Sequence, residues 1–183
     1  MDAVETVLAG GVSLIRFRAK HLAASEQWKL GRAVAELCTA YRAKLLVNDR
    51  ADLAYVLGAD GVHLPANGLP IEAARRLLPD GLIGVSCHSI ADVIEAAEDG
   101  ADYVTLSPIF ETSSKPGYGP ALGCHKLTTA TKAATIPVFA LGGITPERVD
   151  ECLTRGAHGI AIMGECLARR HLQKRPRFLA RLS

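Results

Sequence analysis

One short pattern recurs four times along the chain: a glycine ends a helix-like segment, and an apolar, β-branched run follows within a few residues. The pattern reads AGGVSLI from Ala9, LGADGVHL from Leu57, DGADYVTL from Asp99 and RGAHGIAI from Arg155. The glycines that would stop the helices are Gly10, Gly58, Gly100 and Gly156, since glycine adopts the left-handed helix-ending conformation easily. One helix-to-strand joint used four times predicts a fold built from repeated units.

Strand-like and helix-like segments alternate along the whole sequence, which predicts βα units on a parallel sheet. The predicted strands are Ser13–Arg18, Lys44–Asp49, Gly61–Pro65, Ile83–His88, Tyr103–Pro108, Ile136–Gly143 and Gly159–Gly164. The predicted helices are Asp2–Ala9, Glu26–Tyr41, Arg50–Leu57, Pro70–Leu78, Ile90–Glu98, Leu122–Ala134, Pro146–Thr154 and Glu165–Leu182.

The even spacing and the lack of a nucleotide-binding G-x-G-x-x-G favour a (β/α)8 TIM barrel over a doubly wound open sheet. The 183 residues fit a single TIM-barrel domain, residues 1–183. One strand is missing from the count, and it would precede Asp2–Ala9. Either the true start lies upstream, or the barrel lacks its first strand. A barrel of the second kind would expose an unpaired edge on Ser13–Arg18.

The composition argues against several classes of protein. The formal net charge is +2, which does not suit general nucleic-acid binding. No apolar run approaches the length of a membrane span, and the N-terminus has no signal-peptide pattern. The five cysteines are scattered without a C-x-x-C pair, as expected for reduced thiols in a cytoplasmic protein.

Polar residues gather at the predicted carboxyl ends of the strands, where the active sites of parallel barrels lie. They are Arg16, Arg18, Lys20, Asn48, Asp49, Arg50, His63, Ser86, Cys87, His88 and Ser107, with Gly142, Gly143 and Gly164. Lysine and arginine supply counter-charge to phosphate, and glycine lets backbone N–H groups approach its oxygens. We therefore predict a small phosphorylated or diphosphorylated ligand.

A loop rich in hydroxyl groups follows the strand that begins at Tyr103. It contains Thr112, Ser113, Ser114 and the cation Lys115, and it has almost no apolar side chain. Such a loop is typical of a segment that grips phosphate over the mouth of a barrel.

Several motifs in order carry a resemblance to a known family. They are I-R-F-R-A-K at Ile15–Lys20, L-V-N-D-R at Leu46–Arg50, G-A-D-G-V-H-L at Gly58–Leu64, G-V-S-C-H-S at Gly84–Ser89, S-P-I-F-E-T-S-S-K at Ser107–Lys115 and I-P-V-F-A-L-G-G-I at Ile136–Ile144. Together, from about Gly10 to Gly164, they resemble the thiamine-phosphate synthase / TenI family.

The resemblance implies a synthase that joins an aminopyrimidine diphosphate to a thiazole phosphate and releases diphosphate. It implies Lys115, Arg18 and Lys20 as catalytic residues on the diphosphate, and Asp49 as a ligand of Mg²⁺. The implied substrate-binding residues are Arg16, Asn48, Ser86, Thr112, Ser114, Gly143, Met163 and Gly164. We expect Lys115→Ala to lower turnover by more than roughly tenfold, the usual effect of losing a charge contact in the transition state.

Three positions depart from the family pattern. Arg16 stands where the synthase has Gln in Q-x-R-x-K, and Gly164 stands where it has Ser in the last strand. Gly68 occupies the place of a second magnesium carboxylate in a G-Q-x-D segment. We expect the substitution Gly68→Asp to raise the affinity for magnesium.

Other interpretations stay open at the level of sequence. A TenI-type thiazole phosphate tautomerase needs no magnesium, but its family His in G-H-I-F is absent from Ser107–Phe110. A non-catalytic relative that binds phosphate esters, or a phosphate-sugar epimerase, would also use such a barrel. Asn48 and Asp49 could cap the next helix, and His63 could be a satisfied core histidine. A homo-oligomer is also left open.

Overall fold

The structure, a computed structural model, describes residues 2–112, 120–163 and 178–182. The elements in chain order are α1 (Asp2–Ala9), β1 (Leu14–Phe17), α2 (Ala24–Ala40), β2 (Lys44–Asn48), α3 (Ala51–Leu57), β3 (Gly61–Leu64), α4 (Ile71–Leu77), β4 (Leu82–Cys87), α5 (Ile90–Glu98), β5 (Tyr103–Leu106), α6 (Gly123–Ala133), β6 (Val138–Leu141), α7 (Pro146–Thr154), β7 (Gly159–Met163) and β8 (Phe178–Leu182).

Strands β1 to β7 pair in chain order as a curled parallel sheet, and β8 lies between β7 and β1 to close it into a barrel. The predicted TIM barrel is confirmed. The seven predicted strands and the first seven predicted helices are present with bounds within two residues of those expected. No helix in the described part of the chain is long and apolar enough to cross a membrane.

The C-terminal end of the chain differs from the prediction. Residues Phe178–Leu182 were expected to end a helix but form strand β8, while residues 165–177 lie outside those that the structure describes. The backbone of β8 pairs on both sides, for example at Leu179 with Leu14 and at Arg181 with Met163. The predicted free edge on β1 is therefore also wrong, since β8 pairs with β1. Residues 178–182 form a strand because pairing with β1 and β7 overrides their local helical preference.

The glycine joints of the repeat are largely as predicted. Gly58, Gly100 and Gly156 have positive φ angles of 61°, 90° and 92°. In the first joint the left-handed residue is Gly11, with φ 89°, and not Gly10.

Two sets of buried side chains fill the structure. The outer set packs the strands against the helices and includes Ile15, Val47, Val104 and Ile160. The inner set lies within the barrel. It contains Leu46, Tyr103, Phe139 and Ala161, and three buried polar residues come from the strands as well: Arg16, His63 and Thr105. Barrel interiors are usually filled by branched apolar residues, so this polar content needs an explanation.

Candidate active site

An ion pair joins the segments that follow β1 and β2. The Nζ atom of Lys20 lies 2.8 Å from a carboxylate oxygen of Asp49. The side chains of Lys20 and Asp49 are 50% and 32% exposed, so a ligand at the mouth can reach both. Arg18 and Asn48, on the same two segments, are partly exposed as well.

Asp49 does not cap the helix that follows it. The residue before α3 is Arg50, and α3 has no side-chain hydrogen bond at that position. The backbone N–H of Asp49 donates to the carbonyl of His63, and its φ of 71° is left-handed. The helix-capping interpretation is therefore wrong for Asp49, whose carboxylate is directed to Lys20.

Asp49 is the side chain that is expected to hold Mg²⁺. Within the described residues, no three His, Cys, Asp or Glu side chains come together as a metal cluster. Magnesium at phosphate sites is nevertheless often held by one or two carboxylates together with phosphate oxygens and water. Asp49 thus fits an ion shared with a bound diphosphate and does not make a metal site by itself.

Gly68 lies in a tight turn, where its N–H donates to the carbonyl of Pro65 over 2.9 Å. A Cβ atom at this position would lie 2.6 Å and 2.9 Å from the Cδ and Cγ atoms of Pro65. A carboxylate at position 68 therefore requires the proline ring to move. The departure from the family pattern therefore involves Pro65 as well as Gly68.

A hydrogen-bonded chain of three side chains runs through the barrel interior. The hydroxyl of Tyr103 lies 2.7 Å from Nδ1 of His63, and Nε2 of His63 lies 2.9 Å from Oγ of Ser86. His63 and Tyr103 are buried, whereas Ser86 is partly exposed. His63 is therefore a satisfied core histidine, but it also contacts a predicted substrate-binding serine.

The register explains how Tyr103 and His63 meet. Gly84 on β4 pairs with His63 on one side and with Tyr103 on the other. A Cβ atom on Gly84 would lie 2.1 Å from the Tyr103 ring, so only glycine leaves room for that ring. Tyr103 was not predicted as a site residue from the sequence. The signal for it was Gly84, the glycine of G-V-S-C-H-S, because the absence of a side chain there leaves room for the ring.

Arg16 lies in the interior and not at the mouth. It is 3% exposed, and its positive charge acts on Tyr103. Burial raises the pKa of Tyr103 and Arg16 opposes that rise, with burial the larger effect. Tyr103 therefore stays protonated at neutral pH. Arg16 as a substrate-binding residue stays a prediction.

The glycine pair after β6 receives the segment that follows β5. The N–H groups of Ile109 and Phe110 donate to the carbonyls of Leu141 and Gly142. Gly143 has φ 63°, and a Cβ atom there would lie 2.4 Å from the carbonyl oxygen of Glu111. Glycine at position 143 thus brings the start of the predicted phosphate loop against the start of α7.

Arg148 of α7 contacts both sides of this junction. Arg148 donates to the carbonyl of Gly143 over 2.8 Å, and its guanidinium carbon lies 4.4 Å from the centre of the Phe110 ring. Thr112, the first residue of the hydroxyl-rich loop, is partly buried.

The polar residues after β4 have structural roles. Asp92 accepts hydrogen bonds from Ser89 and from the backbone N–H of His88; burial raises its pKa, but these bonds outweigh burial and lower it. Nδ1 of His88 lies 2.8 Å from the carbonyl of Ser107. Burial raises the pKa of the Cys87 thiol to about 12, so Cys87 is not an activated nucleophile.

Three predicted site residues lie outside the described residues: Ser114, Lys115 and Gly164. Met163 is the last described residue of β7, and its backbone lies beside β8. Their roles stay predictions.

Comparison with known proteins identifies the family. The profile of the family described as "Thiamine monophosphate synthase" matches residues 1–166. A thiamine-phosphate synthase of Methanoculleus marisnigri is 43% identical over 163 residues, which cover 88% of this chain and 77% of that protein. One from Clostridium novyi is 36% identical over 182 residues, or 99% of this chain and 89% of that protein.

One solved structure agrees with the sequence relatives. Thiamine phosphate pyrophosphorylase from Pyrococcus furiosus has a TM-score of 0.84 and 32% identity, and the match covers 93% of this chain and 82% of that chain. The chain therefore belongs to the thiamine monophosphate synthase family.

Proposed function

We propose that the chain is a thiamine-phosphate synthase, which joins an aminopyrimidine diphosphate to a thiazole phosphate and releases diphosphate. The observation that carries this proposal is the exposed Lys20–Asp49 pair at the carboxyl ends of β1 and β2. It supplies a cation for a diphosphate and a carboxylate for a metal ion at one place. Family membership supports the same reaction.

In the proposed reaction, the bond between the pyrimidine methylene carbon and the diphosphate oxygen breaks, and the diphosphate leaves with the electron pair. The thiazole nitrogen then donates its lone pair to the pyrimidine cation. Negative charge grows on the diphosphate as the bond breaks, so cations fixed beside it lower the barrier. Arg18 and Lys20 have this role, together with Lys115 from the loop.

Asp49 would hold Mg²⁺ jointly with the diphosphate. The bound ion would supply further charge neutralisation for the leaving group. The carboxylate of Asp49 is paired with Lys20 in the structure, which keeps the lysine in place. Diphosphate binding would bring a second anionic partner to this lysine.

The thiazole phosphate would lie on the opposite side of the mouth, where Thr112, Ser114 and the backbone near Gly143 receive its phosphate. The close contact of Gly143 with Glu111 supports this arrangement, because it brings the loop to the start of α7. A helix N-terminus with free N–H groups favours an anion.

We assign the reaction to the cytoplasm, and we leave open a homo-oligomer.

The test is an end-point assay with the purified protein, both substrates and Mg²⁺. We expect thiamine phosphate and free diphosphate, and loss of both products when a chelator removes the metal. A folded protein that forms neither product would contradict the proposal. Isomerisation of a thiazole phosphate without formation of thiamine phosphate would support a thiazole phosphate tautomerase instead.

A further inference from the structure

The Tyr103–His63–Ser86 chain connects the barrel interior to the mouth. His63 is 0% and Tyr103 is 4% exposed, whereas Ser86 lies one step nearer the mouth than Gly84 on the same face of β4. The two hydrogen bonds measure 2.7 Å and 2.9 Å. A buried chain of this kind fixes the orientation of its exposed end.

Packing leaves the Tyr103 hydroxyl little freedom. The ring meets Phe139 edge to face with centroids 5.5 Å apart, and it lies over the backbone of Gly84 on another side. The His63 ring is tilted by 45° against it at 5.5 Å. The hydroxyl is therefore held at Nδ1 by packing as well as by its hydrogen bond.

The two hydrogen bonds can run in either direction, because the donor and acceptor roles of the His63 ring nitrogens depend on its tautomer. In one direction the protonated Tyr103 donates its proton to Nδ1 of a neutral imidazole. The imidazole proton then lies on Nε2 and is donated to Oγ of Ser86. Because this oxygen accepts from His63, the Ser86 proton is available to a ligand. In the opposite direction Ser86 would donate to His63 and present only lone pairs, which an anion would repel.

We propose that Tyr103 is a positioning residue that acts through His63 and turns the Ser86 hydroxyl proton toward the diphosphate. This inference rests on the proposed function, and it takes Ser86, a substrate-binding residue implied by the family resemblance, as a contact of the diphosphate. It adds the direction of each hydrogen bond and a role for a tyrosine that touches no substrate.

The first experiment measures the affinity for inorganic diphosphate with Mg²⁺ by calorimetry. Tyr103→Phe keeps the ring beside Gly84 and removes the hydroxyl. We expect it to weaken diphosphate binding by roughly tenfold, the scale of a hydrogen bond to a charged group. In a Ser86→Ala background the same change should have an effect of less than about twofold, since coupled residues are not additive.

Thr105→Val is the matched control. Thr105 is also buried inside the barrel, on the strand of Tyr103, and its hydroxyl has no hydrogen-bond partner among the described residues. The substitution keeps the side-chain volume, so we expect diphosphate affinity to stay at the wild-type value. A loss equal to that of Tyr103→Phe would show a general effect of interior substitutions and would overturn the proposal.

The second experiment reads the His63 tautomer by ¹⁵N NMR in the ligand-free protein. We expect the proton on Nε2 in the wild type and a mixture of tautomers in Tyr103→Phe. A proton on Nδ1 in the wild type would overturn the proposal, as would an equal loss of affinity in both serine backgrounds. A wild-type protein that shows the Nε2 tautomer but binds no diphosphate would instead contradict the proposed function.

Discussion

Lys20 and Asp49 form the one ion pair, among those the structure describes, that joins the ends of β1 and β2 at the mouth of the barrel. An exposed pair of this kind contributes about 0–1 kcal/mol to the free energy of unfolding. Its effect on a bound diphosphate would be larger, because the lysine, and a magnesium ion held by the carboxylate, would act on negative charge that develops during the reaction. Measurements of stability and of turnover therefore distinguish the contribution of this ion pair to folding from its contribution to the reaction.

We predict that Asp49→Asn lowers turnover by at least about tenfold and leaves the melting temperature nearly unchanged. Asparagine adopts the left-handed conformation of Asp49, with φ 71°, so the backbone is kept. Steady-state kinetics over a magnesium series and thermal unfolding measure the two effects. Glu72→Gln is the control, because it breaks the exposed pair with Arg76 on α4 and should change neither quantity. Wild-type turnover in Asp49→Asn would remove Asp49 from the site.

The turn at Gly68 modifies the expected gain in magnesium affinity. We predict that Gly68→Asp alone lowers the free energy of unfolding by about 1–3 kcal/mol, because its Cβ atom would overlap the Pro65 ring. Combined with Pro65→Ala, which removes the Cγ and Cδ atoms, it should raise magnesium affinity in the presence of diphosphate. Urea unfolding and calorimetry measure the two effects, with Pro65→Ala as the control. Equal magnesium affinity in the control and the double variant would place position 68 away from the metal.

At the scale of elements, the junction of β6, α7 and the segment after β5 depends on Gly143. A side chain there would meet the carbonyl of Glu111 and the side chain of Phe110. The junction is also where we propose that thiazole phosphate binds. Substitution should therefore affect both folding and the affinity for that phosphate.

We predict that Gly143→Ala lowers the free energy of unfolding by more than Gly58→Ala does. The two glycines have nearly equal φ angles, 63° and 61°, but a Cβ atom at Gly58 meets nothing within 4 Å. Both changes introduce left-handed strain of roughly 1 kcal/mol, and only the first adds overlap with backbone. Urea unfolding of both variants measures the difference, and equal losses would show that the junction is not tightly packed.

Elements were predictable where the signal is local. Strands β1 to β7 are short β-branched runs, four of them preceded by a glycine joint, and the Lys20 and Asp49 motifs lie at their ends. The contact between His63 and Tyr103 was not predictable, because it depends on the register of three strands and on the space above Gly84. Strand β8 was missed because F-L-A-R-L contains good helix formers and gains its pairing only from β1 and β7.

At the scale of the whole molecule, the strand that closes the barrel comes from the C-terminal part of the chain. It runs parallel to both neighbours, so its carboxyl end lies at the same mouth as the site. Without it, β1 and β7 would both have unpaired backbone groups. The last strand therefore links the integrity of the barrel to the position of Lys20, which follows β1.

We predict that deleting residues 178–183 removes hydrogen-exchange protection from the amides of β1 and β7 and leaves those of β4 and β5 protected. Mass spectrometry of exchanging protein measures this, with β4 and β5 as the internal control. Ala180→Pro, which removes one N–H from the ladder, should give a weaker form of the same pattern. Unchanged exchange in β1 and β7 would mean that β8 does not close the barrel in solution.

The most direct test of a magnesium-dependent synthase is the ratio of diphosphate released to thiamine phosphate formed by the wild-type protein over a series of magnesium concentrations. We predict one diphosphate for each thiamine phosphate and a rate that rises with magnesium to a plateau. Diphosphate release without thiamine phosphate, or a rate that does not depend on magnesium, would contradict a synthase that holds its metal with Asp49 and the substrate.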